Sequence, residues 1–336
     1  MIHIVLTTIA PPTQGSKLIS SGLQQRGGIL WVIGDRAGPS SYDLPNTRWF
    51  DIERQFRLSF RLARMLAERH YARKNLGYLL AIQDGARFLV ETDDDNIPQA
   101  NFWLPRSPSM TSNHVTQAGW FNVYLEFCPG RIWPRGFPLE EIQDSFARRA
   151  KPESAASVRE CLIQQGLANR NPDVDAVYRL VCSLPLDFES RAPVSLAPGC
   201  WCPFNSQNTT FFQPAFPLLY LPTFCSFRMT DIWRSFVAQR CLWEIGSAVC
   251  FTEPSVYQER NEHDLHKDFE DEVPGYLKNH RIRGLLENVS LKAGRSFDTV
   301  SANLLVCYEA LVRGEILPKK ELLLVEAWIH DLESVS

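Results

Sequence analysis

The sequence predicts an alternating α/β fold, and three observations carry that prediction. Two near-continuous apolar runs, "IHIVLTTI" from Ile2 and "GGILWVIGD" from Gly27, open the chain. Runs that are apolar without alternation suit strands covered on both faces, as in a parallel sheet. Between residues 52 and 85 the apolar period becomes helical, and a third strand pattern, "ARFLVE", follows. Strand, helix and strand in that order form a crossover unit.

The elements follow in order. The first run is rich in β-branched residues and stops at Ala10-Pro11-Pro12; the second stops at "DRAGPSS". Phe56, Phe60, Leu62, Met65 and Leu66 fit one helical stripe, and Leu76, Leu79, Leu80 and Ile82 fit another. The second ends at Asp84-Gly85, a helix-stop pair. In "FRMTDIWRSFVAQRCLWEIG", helical spacing puts Asp231, Arg234, Ala238 and Cys241 on one face. "TVSANLLVCYEALVRG" reads as an amphipathic helix closed by Gly314, and Pro318 suits the first turn of a second helix, "PKKELLLVEAWIHDL". A four-residue turn between them predicts a helical hairpin that packs on the main domain or mediates self-association.

Composition narrows the function. At 336 residues the chain is long enough for a substantial core, and 45% hydrophobic with 22% charged residues is ordinary for a globular protein. A net charge of -3 carries no nucleic-acid footprint. The nine cysteines are dispersed, which reads as reduced thiols in a cytosolic setting; Cys200-x-Cys202 without a second pair is weak evidence for zinc. "AFPLLYLPTFCSF" is too short and too broken by proline to span a membrane, and "MIHIVLTTI" lacks the basic start of a signal peptide. The chain is therefore expected to be cytoplasmic. Asn208-Thr209-Thr210 and Asn288-Val289-Ser290 match the glycosylation pattern, which is common by chance.

The strongest local signal is "FLVETDDDN", residues 88–96. A strand runs straight into Asp93, Asp94 and Asp95. Adjacent carboxylates repel and lose hydration when partly buried. A surface turn is the plain alternative, but ligands bind at the carboxyl ends of strands in sheets of this kind. Hard oxygen ligands there suit Mg²⁺ or Mn²⁺, which also take ligands from a substrate diphosphate. A strand-end carboxylate cluster, a metal and a diphosphate describe a nucleotide-sugar site of GT-A type, where the cation offsets charge on the departing nucleoside diphosphate. Arg73, Lys74 and Asn75 open the preceding helix and are expected beside the donor, with Gly77 allowing close approach one turn on. Solvated helix charge is the alternative for Arg73 and Lys74.

At these residues the chain resembles the STELLO-type glycosyltransferase-like family, known from plant Golgi proteins. The likeness runs through "VIGDRAGP", "RKNLGYLLAIQDGARFLVETDDDN", "WPRGFPLE", "IQQGLANRNPDVDAVYRL", "PFNSQNTTFF", "DIWRSFVAQRCLWEIG", "DLH" and "VEAWIHDL", in order and over nearly the whole chain. More distantly it is similar to the reversibly glycosylated polypeptides, which include UDP-arabinopyranose mutases. The resemblance implies a GT-A, Rossmann-like nucleotide-sugar-binding fold with a mixed central sheet over residues 1–290 and a C-terminal helical hairpin over 291–336. It implies a nucleotide-sugar donor, UDP-linked by preference, and a carbohydrate acceptor. The plant proteins carry a membrane anchor before this domain; here no such span is read, so their localisation does not carry over, and peripheral membrane association and a homo-oligomer stay open as ways of assembling.

The roles then follow. Asp93 and Asp95 are expected to hold Mn²⁺ or Mg²⁺, with Asp94 on the sugar or ribose. Asp231, at a predicted helix start, is the first candidate for the base of an inverting transferase, although Thr230 and Asp231 also suit an N-cap. Asp173 is the second candidate; with Asp175 it is expected to project to one side of an extended segment, unless both belong to a turn after Asn171-Pro172. Arg135 suits a phosphate or carboxylate, and Trp133 a sugar face or the core. His266, in "DLH", is a candidate to complete the metal shell; His263 lies outside that element. The expected function is metal-dependent transfer from a nucleotide sugar to a hydroxyl, in surface polysaccharide assembly at the cytoplasmic side of a membrane. A nucleotide-sugar mutase with Arg135 as attachment point, or a non-catalytic scaffold for other transferases, are the alternatives.

Overall fold

The structure, a computed structural model, describes residues 1–147, 156–259 and 264–335. The amino-terminal part lays down strands β1 (Ile2–Thr7), β2 (Gly28–Ile33), β3 (Thr47–Phe50), β4 (Phe88–Thr92) and β5 (Asn96–Pro98), with helices α1 (Gln14–Arg26), α2 (Ile52–Phe56), α3 (Leu62–Met65) and α4 (Lys74–Gln83). The middle adds β6 (Ser109–Val115), β7 (Gly119–Trp120), β8 (Ser157–Glu160), β9 (Ile163–Asn169), β10 (Val194–Leu196), β11 (Cys200–Trp201) and β12 (Asn208–Phe212), with short helices α5 (Tyr124–Phe127), α6 (Ile142–Ala147) and α7 (Ala176–Val181). Helix α8 (Thr230–Ile245), strand β13 (Val249–Gln258) and helices α9 (Leu265–Glu287), α10 (Phe297–Arg313) and α11 (Glu321–Glu333) complete it.

The main sheet has the order β3-β2-β1-β4-β12-β9-β13-β10-β6-β8, with β5 paired to β13. Its first four strands are parallel; β12 then runs antiparallel to both β4 and β9. The α/β class with a mixed central sheet is therefore the one the chain adopts. Both faces are covered, as the apolar runs imply. Val5, Trp31 and Ile33 enter the larger core, while Ile4, Leu6, Leu30 and Val32 enter a second one that includes Ile19 and Leu23 of α1. Gly77 of α4 sits so close to the sheet that a β-carbon there would lie 2.5 Å from Val5 Cγ1 and 2.9 Å from Ile33 Cγ1. The close approach expected at this glycine is thus that of the neighbouring strands.

Two expectations change. The stripe through Phe56 and Leu66 is interrupted: α2 and α3 are separate short helices. The reason is tertiary. Asp331 of α11 accepts hydrogen bonds from Arg61 N (2.9 Å) and Leu62 N (2.8 Å), fixing the start of α3. The tail forms the expected pair of helices, but residues 314–320 link them and Pro318 precedes α11. Leu304, Cys307, Leu311, Val325 and Trp328 join the main core, and Glu321 accepts from Thr223 N (3.0 Å) and Phe224 N (2.8 Å). Among the described residues no helix is long and apolar enough to cross a membrane.

Candidate functional site

Strand β4 carries the chain to the carboxyl edge of the sheet, and β5 turns it back onto β13 through Ile97 against Tyr257 and Asn96 against Gln258. Residues 93–95 form the turn between. The chain there borders a cavity of about 540 Å³, whose walls include Thr8, Asp35, Tyr71, Phe227, Gln258 and the acids Asp93, Asp94, Asp95, Asp173 and Asp231.

The three adjacent aspartates are held differently. Asp93 Oδ1 accepts from Tyr71 OH at 2.8 Å and from Lys74 Nζ at 3.3 Å. Asp94 Oδ2 accepts from the Thr8 hydroxyl. Asp95 Oδ2 accepts from Gln258 Nε2 at 2.9 Å, and its buried Oδ1 has no hydrogen-bond partner among the described residues. Burial pushes the Asp93 carboxyl up, against the opposing pull of Lys74. Burial also raises Asp94, against its bond from Thr8. Burial, then the charges of Asp93 and Asp94, push Asp95 up to about 7.

This donor set fits a hard divalent cation. It offers carboxylate oxygens, mutual repulsion that a cation relieves, and one buried acceptor with nothing to accept from. Among the described residues no three His, Cys, Asp or Glu side chains converge closely enough to hold a metal alone. A cation here would draw its remaining ligands from substrate or water, as Mg²⁺ commonly does.

Across the cavity lies a second acidic pair, arranged around Arg135. Its Nε and Nη2 donate to Asp173 at 2.8 and 2.9 Å. Its Nη1 and Nη2 donate to Asp231 at 3.0 and 2.9 Å, and Nη1 also donates to the Arg228 carbonyl. All five N–H donors of the guanidinium are therefore engaged. Burial pushes the Asp231 carboxyl up, but the charge and hydrogen bonds of Arg135 outweigh it and hold the group well below the usual carboxylate range. Asp231 also accepts from Ser206 N, Ser206 Oγ and Ile232 N. Among the described residues the Asp173 carboxylate accepts further only from Asn205 Nδ2, at 2.7 Å. Asp231 is the second residue of α8, behind Met229, and caps nothing.

The remaining candidates separate by position. Lys74 is fully buried beneath the cavity, where Nζ donates to Tyr71 OH, Thr92 O and Ser206 O besides Asp93. Arg73 faces away; its Nε donates to Gln55 Oε1 at 2.6 Å and its Nη1 to Leu66 O at 3.0 Å. Asn75 is also turned inward, clamping the backbone of Leu221 through Nδ2 and Oδ1. Arg73 and Asn75 thus lie off the cavity wall. Asp175 does not share the direction of Asp173. It caps α7, accepts from Trp133 Nε1 at 2.7 Å, and is pushed up to about 7, chiefly by burial. Trp133 is accordingly a core residue, packed against Tyr178. His266 stands at the start of α9 with its side chain 92% exposed and does not line the cavity. His263 lies outside the described residues.

Sequence reasoning passed over Thr8, Tyr71 and Gln258, which hold the three aspartates. Thr8 was findable, since it directly follows the carboxyl end of β1. Tyr71 and Gln258 reach the site through long-range pairing that carries no local pattern.

Comparison with known proteins agrees with the family likeness. Residues 228–336 match the family described as STELLO glycosyltransferases. The chain is 28% identical over 274 residues to the probable glycosyltransferase STELLO1 of Arabidopsis thaliana, covering 76% of this chain and 35% of that protein. It is 30% identical over the same length, with the same coverage, to the probable glycosyltransferase STELLO2 of that plant. The chain thus spans 35% of the length of these curated relatives. A crystal structure of M. tuberculosis glucosyl-3-phosphoglycerate synthase overlays with a TM-score of 0.39 at 12% identity, covering 83% of this chain and 80% of that one. The STELLO-type resemblance read from the sequence is borne out by the two plant relatives and the matched region. The fold itself stands on the strand order: a parallel β3-β2-β1-β4 half, an acidic turn after β4 and an antiparallel β12 make the Rossmann-like GT-A arrangement.

Proposed function

We propose that this chain is a glycosyltransferase that moves a sugar from a nucleotide-sugar donor, UDP-linked by preference, to a hydroxyl acceptor with the help of a divalent cation. The observation that carries the reading is the acidic turn after β4, whose Asp95 presents a buried, unpartnered Oδ1 beside the cavity. Asp93 and Asp95 would hold Mn²⁺ or Mg²⁺, which supplies positive charge against a diphosphate leaving group. Lys74 and Tyr71 fix the Asp93 carboxylate, and Thr8 fixes Asp94, so that the turn meets the donor already shaped. Phe227, 53% exposed and edge-on to Tyr71, offers an apolar wall for a base or sugar face.

The geometry favours Asp173 over Asp231 as general base. Asp231 receives two bonds from Arg135 and three more from Ser206 and its own helix, leaving no lone pair for an acceptor. Asp173 keeps capacity at Oδ1. In an inverting transfer the acceptor oxygen bonds to the anomeric carbon as the bond to the diphosphate breaks, and the acceptor proton passes to Asp173. The nucleoside diphosphate leaves as the anion. A mutase reading is disfavoured because the proposed attachment residue, Arg135, has every N–H engaged by two carboxylates and the Arg228 carbonyl. Surface polysaccharide assembly at a cytoplasmic membrane face is part of the proposal and rests on the sequence alone.

A thermal-shift screen of nucleotide sugars with and without Mn²⁺ tests the reading, because the right donor raises the melting temperature with concentration. Release of nucleoside diphosphate from that donor by water alone then separates an enzyme from a scaffold. A chain that binds no nucleotide sugar under either condition is not a transferase of this kind.

A further inference from the structure

A second cavity, of about 310 Å³, lies on the other face of the sheet. Side chains alternate along a strand. On β12, Thr209 and Phe211 face Asn205 and Arg234 on the α8 side. Asn208 and Thr210 therefore point the opposite way, and both line this second cavity. The aspartates of the first cavity and Asp231 of α8 take no part in it.

Its outer wall is the segment that follows β5, and Arg106 of that segment is the unusual residue. Its Nε donates to Thr210 Oγ1 at 3.1 Å, and its guanidinium stacks 5.0 Å over Phe102. No carboxylate pairs with it among the described residues. Glu253 borders the cavity, but its two oxygens accept from Asn101 and from the Ser190 hydroxyl. Burial alone pushes Arg106 down to about 10. The half-buried guanidinium has no counter-charge beside it, and an anion entering the cavity would supply one. A second unmet group calls for a donor instead: Asn101, also in the wall, has a buried Oδ1 with no hydrogen-bond partner among the described residues. Gln164, Thr252 and Ser255 add hydroxyl and amide groups to the lining, beside the apolar Leu104, Met110 and Pro193 and beside Arg191, which pairs with Glu189.

We propose that this cavity is a second ligand site, for a small phosphate monoester carrying hydroxyl groups, a sugar phosphate in class. Arg106 meets the phosphate, with two nitrogens still free to donate as a fork. The ligand's hydroxyls meet the amide and hydroxyl lining, and one of them donates to Asn101 Oδ1. The volume is at the lower end for small-molecule sites and matches a monosaccharide-sized ligand. The site shares no residue with the donor cavity, so both can be filled at once.

The test titrates the full chain with glucose 1-phosphate, inorganic phosphate and glucose, following the melting temperature and the heat of binding. Glucose 1-phosphate should bind saturably and raise the melting temperature, inorganic phosphate should do so more weakly, and glucose should not. Equal effects of both phosphates would reduce the site to one for the free anion and overturn the sugar-phosphate assignment. Arg106→Met should remove the effect without lowering the melting temperature of the free protein. Arg106→Lys, which retains charge but not the fork, should weaken binding roughly tenfold to a hundredfold and serves if the Met variant does not fold. Asp95→Ala should bind glucose 1-phosphate as the unaltered chain does. Absence of binding in the unaltered chain, or undiminished binding by the Arg106 variants, would sink the proposal. Loss in Asp95→Ala would place the ligand in the donor cavity instead.

Discussion

The two acidic walls of the main cavity use the same side chain in opposite electrostatic states. On the wall after β4, one buried lysine bonds to the first of three consecutive aspartates, and one oxygen of the third has no partner among the described residues. On the wall formed by Asp173 and Asp231, one arginine donates to both carboxylates through paired bonds. The first wall retains charge that a cation would neutralise. On the second, one arginine charge and four hydrogen bonds already serve two carboxylates, which leaves a single net negative charge there. The aspartates next to one another in sequence are thus the under-compensated ones, and the pair compensated most fully is assembled from distant segments.

The sharpest way to break the comparison is to remove Arg135. Arg135→Met leaves two buried carboxylates facing each other without a counter-charge, so it should destabilise the fold by about 3–5 kcal/mol. Urea unfolding measures this. A loss well under about 1 kcal/mol, the worth of an exposed pair, would mean that the second wall is no more neutralised than the first.

The difference also explains what was legible in the sequence. The acidic turn could be read because its residues are adjacent and end a strand pattern. Strands β1, β2 and β4, helix α8 and the two tail helices were legible for the same reason: their signals are local and periodic. The Arg135 clamp joins residues 38 and 96 positions apart, and no periodicity reports such a pairing. Asp173, Asp231 and Arg135 were each found as candidates, but not the pairing among them. Arg73 and Asn75 were misplaced because a charged or amide side chain at a helix start looks exposed. Here Gln55 and the Leu221 backbone draw them into the interior. The split of α2 from α3 was hidden because its cause, Asp331, lies 270 residues further along the chain.

The second prediction sharpens the comparison within the arginine-clamped wall. Asp173→Asn should retain donor binding and lose roughly two to four orders of magnitude in transfer rate, the usual worth of a general base. Asp231→Asn should instead act mainly on stability, because Asp231 anchors Arg135 and the backbone of Ser206. Rates and unfolding curves for both variants decide it. A large rate loss in Asp231→Asn with unchanged stability would return the role of base to Asp231.

The third concerns the charged wall. Asp95→Ala should abolish the cation-dependent part of donor binding, while His266→Ala should leave it intact, since that imidazole is exposed and off the cavity. Calorimetric titration of donor with and without Mn²⁺ checks both. Unchanged cation dependence in the Asp95 variant would move the ligand role elsewhere. With the repulsion in the turn reduced, the free Asp95→Ala chain should unfold no earlier than the unaltered one.

The smallest effect is in the pH dependence of stability, and it separates the two walls by sign. Asp95 is raised from 3.8 to about 7. Between those values the folded chain holds a proton that the unfolded chain has lost. Its contribution to stability is therefore fully present below the lower value and is lost as pH rises through the upper one. Asp231 is shifted the other way, so its contribution is present above its unfolded value and lost only as pH falls through a folded value well below the usual range. Asp175, raised to about 7 in the cap of α7, adds a slope of the same sign as Asp95 and must be subtracted. The comparison is then between the unaltered chain and Asp95→Asn, with Asp175 present in both. Asp95→Asn should flatten the decline of unfolding free energy from about pH 4 to about pH 7, by at most about 1.4 kcal/mol per pH unit for one proton. Mn²⁺ competes with that proton, so its stabilising effect on the unaltered chain should grow as pH rises through about 7 and should be much reduced in the variant. Parallel pH profiles for the two chains, in the absence of metal, would show that Asp95 is ionised throughout and that the wall after β4 is compensated after all.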